Sequence, residues 1–181
     1  YLIIDETKSK SYIENFYDKT KNENKIYLIG FFQSEKYFFG NRQKIIKKIF
    51  QRKFYKINQK IHNNSLMVGI RMYEDVPNQD LKKFGGLENF NYYNTAIKKF
   101  KKKYKNLDLF IFSSLNKRKF FEKKINYKFS NFNIDKLNKL SEYQVLLLCS
   151  NFSKFIISNS SFYWWAAYLG NFMKPIKIIY S

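Results

Sequence analysis

The sequence predicts an α/β fold, a parallel sheet with helices on both faces. Three observations carry that reading. Short apolar runs alternate with longer amphipathic ones from Leu66 to Tyr180, as strand–helix–strand units do. The linking stretches are short, which favours parallel strands joined by helical crossovers. Strand ends at Arg71, Ser113-Ser114 and Ser158-Asn159-Ser160-Ser161 run into charged or small polar residues, at the edge where open parallel sheets bind ligands.

The elements follow in order. Tyr1 to Ile4 reads as a strand. Tyr12, Ile13, Phe16 and Tyr17 have helical spacing within the polar segment Asp5–Lys25 and predict a short helix. Ile26 to Ile29 is an apolar run that ends at Gly30 and enters an aromatic-rich turn. Ile45, Ile46, Ile49 and Phe50 lie on one face of a helix predicted over Asn41–Asn58, whose other face is rich in Lys and Arg. His62, the sole histidine, sits in the turn-like His62-Asn63-Asn64 with no motif around it and reads as structural.

Leu66 to Arg71 is a buried strand ending in a cation, and residues 77–86 form a loop. Glu88 to Tyr104 is a helix with Tyr93, Ala96, Ile97 and Phe100 inward and lysines at its C-terminal end, where positive charge is favourable. Leu107 to Phe112 is the next strand, Phe120 to Lys124 a helix, Asn126 to Phe129 a short strand and Asn131 to Lys139 a polar loop. Ser141 to Asn151 is a helix that Ser141 can cap. Its Cys149 reads as a small buried hydrophobe. Phe155 to Ile157 and Ile176 to Tyr180 are strands, and between them an apolar helix runs to Gly170, where a helix is expected to stop.

The turn after Ile157 organises the chain. A strand feeds four small polar residues and then an apolar helix, so backbone N–H groups without intrahelical partners and the positive end of the helix dipole meet at one place. Small side chains let a diphosphate approach, and the Ser160 and Ser161 hydroxyls can cap the helix or donate to phosphate. The same residues also suit a Ser-capped helix with no ligand, in which Trp164, Trp165, Ala166, Ala167 and Leu169 merely pack on the sheet.

Composition narrows the classes. With 34 Lys+Arg against 14 Asp+Glu the net charge is +20, which favours polyanionic partners. The joint abundance of Lys, Asn, Ile, Phe and Tyr also fits a coding bias, so much of that charge is solvated surface. One cysteine excludes an internal disulfide. No apolar run reaches the roughly 20 residues of a spanning helix. We expect a cytoplasmic protein with peripheral contact at an acidic membrane face. No P-loop or GxGxxG pattern appears.

Phe155-Ile156-Ile157-Ser158-Asn159-Ser160-Ser161-Phe162, followed by Trp164-Trp165-Ala166-Ala167, resembles the NSSFSWWAAWL motif of the α-1,2-fucosyltransferases, glycosyltransferase family 11, with Tyr163 for Ser and Tyr168 for Trp. Ile26-Tyr27-Leu28-Ile29-Gly30-Phe31-Phe32-Gln33-Ser34-Glu35-Lys36-Tyr37-Phe38 is similar to that family's GYFQSEKYF stretch. The family's HxRRGD aligns with Gly69 for His, Arg71 for the first Arg, Met72 for the second, Tyr73 for Gly and Glu74 for Asp. Its FSDD aligns at Phe112-Ser113, with Ser114 and Leu115 in place of the aspartates.

The resemblance implies the Rossmann-like C-terminal donor domain of a GT-B glycosyltransferase over residues 63–181, preceded over 1–62 by the end of an acceptor-side domain. The chain opens at Tyr1 without the family's GGLGNQ motif, so we expect a piece of a longer protein. The implied reaction is inverting transfer of fucose from GDP-fucose to a galactose-type hydroxyl, with no metal and no cofactor. Arg71 and Glu74 are the implied catalytic residues, Arg71 holding the departing diphosphate and Glu74 serving as base or as an orienting salt-bridge partner. Donor contacts are implied for Arg71, Ser113, Ser114, Asn159, Ser160, Ser161 and Phe162. Partners are then a nucleotide sugar and a glycan, not nucleic acid. Two other readings stand beside this one. The charge and aromatic content suit a basic nucleic-acid-binding module, and the altered HxRRGD and FSDD blocks suit a transferase that kept its fold and lost activity.

Overall fold

The computed structural model describes residues 1–9, 12–30, 32, 34–50, 61–72, 90–113, 118–131, 140–158, 160–173 and 178–180. The chain forms two compact units, Tyr1–Lys53 and Phe54–Ser181.

In the first unit, strand β1 (Leu2–Asp5) pairs in parallel with β2 (Ile26–Ile29), in register from Leu2 opposite Ile26 to Asp5 opposite Ile29. Helix α1 spans Phe16–Thr20, shorter than its spacing suggests. Asn15 takes the left-handed conformation at φ 58°, which an asparagine tolerates and a continuing helix does not. Tyr12 and Phe16 instead place their rings 4.7 and 5.0 Å from that of Tyr37. The buried Tyr37 hydroxyl accepts the Ile13 N–H at 2.9 Å. Gly30 ends β2 at φ +137°, where a Cβ would also meet Glu6 at 2.6 Å. Helix α2 covers Arg42–Phe50, and the rest of the helix predicted to Asn58 lies outside the described residues.

The second unit is built on a five-stranded parallel sheet of β3 (Ser65–Ile70), β4 (Asp108–Ser113), β5 (Ser130–Asn131), β6 (Lys154–Ile157) and β7 (Ile178–Tyr180), in the order β5-β4-β3-β6-β7. Within this sheet the path starts at the central strand β3, steps outward to β5, then returns to the other side of β3 for β6 and β7. The order therefore reverses between β3 and β6, and an open sheet leaves a crevice above the strand ends at that point.

Residue alternation sorts the core into two layers. Leu66, Val68, Ile70, Leu109 and Ile111 pack with Tyr93, Ala96, Ile97 and Phe100 of α3 (Asn91–Lys103) and Phe121 of α4 (Arg118–Lys124). Met67, Phe112, Phe155 and Ile157 pack with Leu148 and Cys149 of α5 (Glu142–Cys149) and with Tyr163, Ala166 and Ala167 of α6 (Ser161–Met173). Helices thus cover both faces, as expected for this α/β class. Every residue of β3 is buried, as befits a central strand with neighbours on both edges and both faces. Ser141 caps α5 through a capping box with Gln144. Burial raises the Cys149 thiol pKa far above its ordinary value, so it packs as an inert small hydrophobe.

Two sequence expectations are corrected. Residues 126–129 are not a strand. The Asn126 N–H donates to the Asn94 side chain at 2.9 Å, and Phe129 is buried from a loop, so the ladder begins only at Ser130, opposite Phe110. Gly170 does not end its helix, which continues to Met173. A Cβ there would lie 2.7 Å from the Ser150 carbonyl oxygen, so the glycine permits close approach of α6 to the end of α5. The predicted loop at residues 77–86 lies outside the described residues, as does all but the first residue of the one at 131–139.

Candidate functional site

The reversal point sets the site. Ile70 of β3 lies opposite Ser113 of β4, and Gly69 of β3 lies opposite both Phe112 of β4 and Ile157 of β6. Adjacent strands run about 4.8 Å apart. Arg71, Ser113 and Ser158 therefore stand side by side at the carboxyl edge of three neighbouring strands.

Ser158 ties that edge together. Its hydroxyl accepts the Arg71 N–H at 3.2 Å, and its own N–H donates to the Gly69 carbonyl at 3.2 Å. The residue is 9% exposed, so these bonds act away from bulk water, where an unmet partner is costly. The Ser160 N–H then donates to the Ser158 carbonyl at 2.7 Å, closing a tight turn, and the Ser160 carbonyl accepts the Trp164 N–H at 3.0 Å, the first bond of α6. Ser160 is thus the residue just before the helix, and Ser161 is the first helical residue. The Ser160 N–H is occupied by the turn, so the donors facing an anion begin one residue later, at Ser161 and Phe162. α6 has 13 residues, enough for its aligned peptide dipoles to add positive potential at this end.

Of the residues implied by resemblance, Arg71, Ser113, Ser160, Ser161 and Phe162 come together at this edge. Arg71, Ser113, Ser160 and Phe162 are half-buried and Ser161 is exposed. Glu74, Ser114 and Asn159 lie outside the described residues.

Sequence reasoning missed two groups. Ser158 was legible only as the first of a small polar run, and its role emerges from pairing with residues 87 positions away. Tyr92, on the first turn of α3, donates its hydroxyl to the Ile157 carbonyl at 2.7 Å. Burial raises the Tyr92 pKa, which keeps the hydroxyl a donor. Its neighbour Tyr93 carried the apolar signal, and nothing local marked Tyr92.

At the opposite edge, Lys154 is 3% exposed, bonds the Asn63 carbonyl and lies 4.8 Å over the Tyr104 ring. It holds the amino ends of the sheet and lies away from the crevice. Among the described residues no helix is long and apolar enough to cross a membrane.

A cationic residue, a hydroxyl-lined turn and a helix start at one strand edge form an arrangement suited to a phosphate-bearing ligand. Comparison with known proteins agrees in kind. An alpha-1,2-colitosyltransferase of Escherichia coli is 30% identical over 185 residues, covering 94% of this chain and 61% of that protein. The chain spans about three-fifths of the length of that curated relative. No solved structure matches it significantly. Residues 7–181 match the profile of Glycosyl transferase family 11. The chain belongs to glycosyltransferase family 11.

Proposed function

We propose that this chain carries the donor-binding part of an inverting, metal-independent glycosyltransferase of the GT-B type that transfers fucose from GDP-fucose to a galactose-type hydroxyl. The observation that carries the proposal is the meeting of Arg71 and the Ser158–Ser161 turn at the point where strand order reverses, joined by the Arg71 N–H to Ser158 Oγ bond of 3.2 Å.

In this reading the acceptor hydroxyl oxygen attacks the anomeric carbon while that carbon's bond to the β-phosphate oxygen breaks. GDP leaves with the electron pair, and the hydroxyl proton passes to a base. Arg71 meets the growing charge with a planar, permanently cationic fork. The α6 N–H donors and the Ser160 and Ser161 hydroxyls share that charge. Ser113, Ser114, Asn159 and Phe162 complete the donor contacts. Glu74 orients Arg71 or takes the proton. The basic surface supports peripheral contact with an acidic membrane face.

The relative named above supports a second reading of the donor, in which the transferred sugar is colitose. The test is titration calorimetry of the full-length protein with GDP, followed by turnover with GDP-fucose and with a colitosyl donor. Binding of GDP that weakens at least tenfold in Arg71→Ala is the expected result. Absent binding, or binding indifferent to that change, rejects the proposal. Turnover with neither donor despite GDP binding identifies an inactive relative.

A further inference from the structure

Two departures from the family pattern touch each other. The resemblance aligns Gly69 with a histidine of HxRRGD and Tyr163 with a serine of NSSFSWWAAWL, in motifs 94 residues apart. In the structure a Cβ added to Gly69 would lie 2.5, 2.7 and 2.8 Å from Cγ, Cδ2 and Cδ1 of Tyr163. No real side chain tolerates such distances, and the nearest atom, Cγ, lies on the Cβ–Cγ axis, so rotation of the ring about χ2 cannot move it away. The ring therefore rests directly on the backbone of β3. Any residue larger than glycine at 69 has to displace it.

The place matters. Gly69 stands two residues before Arg71 and gives its carbonyl to the Ser158 N–H. Tyr163 is the third residue of α6, is 8% exposed, and packs in the layer that contains Phe112 and Ile157, the cross-strand partners of Gly69. The ring thus sets how closely the start of α6 approaches the end of β3. That separation is the one across which Arg71 and the Ser160–Ser161 turn act on the same ligand.

We propose that Gly69 and Tyr163 are a coupled pair, and that Tyr163 is a positioning residue for the nucleotide-binding crevice, its ring filling the space that a side chain at 69 would need. The proposal rests on the diphosphate-binding reading above. It does not require Tyr163 to touch the donor.

The test is a double-mutant cycle on the full-length protein with Gly69→His, Tyr163→Ser and the combined variant. Thermal unfolding is measured without nucleotide, and GDP affinity and steady-state kinetics alongside it. Each single change is expected to lower the unfolding temperature and to weaken GDP binding by about tenfold or more, through a steric clash in one case and a void in the other. The combined variant is expected to regain most of both losses. Tyr163→Leu, which removes the ring without polar burial, covers the case in which Gly69→His does not fold. It is expected to raise KM for the donor more than it lowers kcat. Strictly additive losses overturn the pairing. Coupling in stability with wild-type GDP affinity in every variant overturns the positioning role. A wild-type protein that binds no GDP overturns the diphosphate reading instead, while the coupling remains visible in the unfolding data.

Discussion

Gly170→Ala is a perturbation whose sign is diagnostic. At an open helical position, alanine is worth about 1 kcal/mol over glycine, because glycine loses more backbone freedom on folding. Here the new methyl would sit 2.7 Å from the Ser150 carbonyl oxygen and 3.3 Å from Phe155 Cζ. Carbon–oxygen contacts settle at about 3.3 Å or more, so the backbone contact is about 0.6 Å too short. The Ser150 carbonyl is main chain at the end of α5 and cannot swing aside as a flexible side-chain tip would. Overpacking of this kind costs about 1–3 kcal/mol. Setting the gain against the cost leaves a net loss of up to about 2 kcal/mol, a drop of up to about 4–8 °C in Tm for a chain of this size. Urea and thermal unfolding of the two proteins measure it. The site lies ten residues along α6 from Ser160, about 15 Å, so GDP affinity should change less than stability does. A Gly170→Ala protein more stable by about 1 kcal/mol would refute the close α5–α6 approach and the reason given for glycine inside a helix.

Ser158→Ala removes the acceptor of the Arg71 N–H. Unfolding in urea should show a loss of about 1–3 kcal/mol, and titration calorimetry should show GDP binding weakened about tenfold; no change in either measurement would mean that the serine does not hold the two strand ends together. Cys149 is fully buried and its thiol pKa is raised. As the sole cysteine it should resist iodoacetamide in native buffer and become labelled only across the unfolding transition, and rapid native labelling, read by mass spectrometry, would contradict its buried place at the end of α5.

Local signals in the sequence determined the element types. Residues Tyr93, Ala96, Ile97 and Phe100 recur at helical spacing, and all four are buried on α3. β3, β4 and β6 lie where short apolar runs end in polar residues. The family, too, was legible, because two adjacent tryptophans after a small polar turn are a specific local string. Tertiary context decided the rest. Asn126 to Phe129 looked like a strand, but Phe129 found its burial from a loop, and periodicity cannot tell a strand from a loop that buries the same residues.

Gly170 looked like a stop because glycine commonly ends helices. The need it meets is clearance from a carbonyl 20 residues earlier, which no local window contains. Strand order likewise depends on which edges pair. Only that pairing brings Arg71, Ser113 and Ser158 to one edge and rests the Tyr163 ring on Gly69. Hydrophobic spacing acts over a few residues and so shows in the sequence. Close approach and hydrogen bonding between distant segments depend on the folded path, and they place the groups on which a reaction would depend.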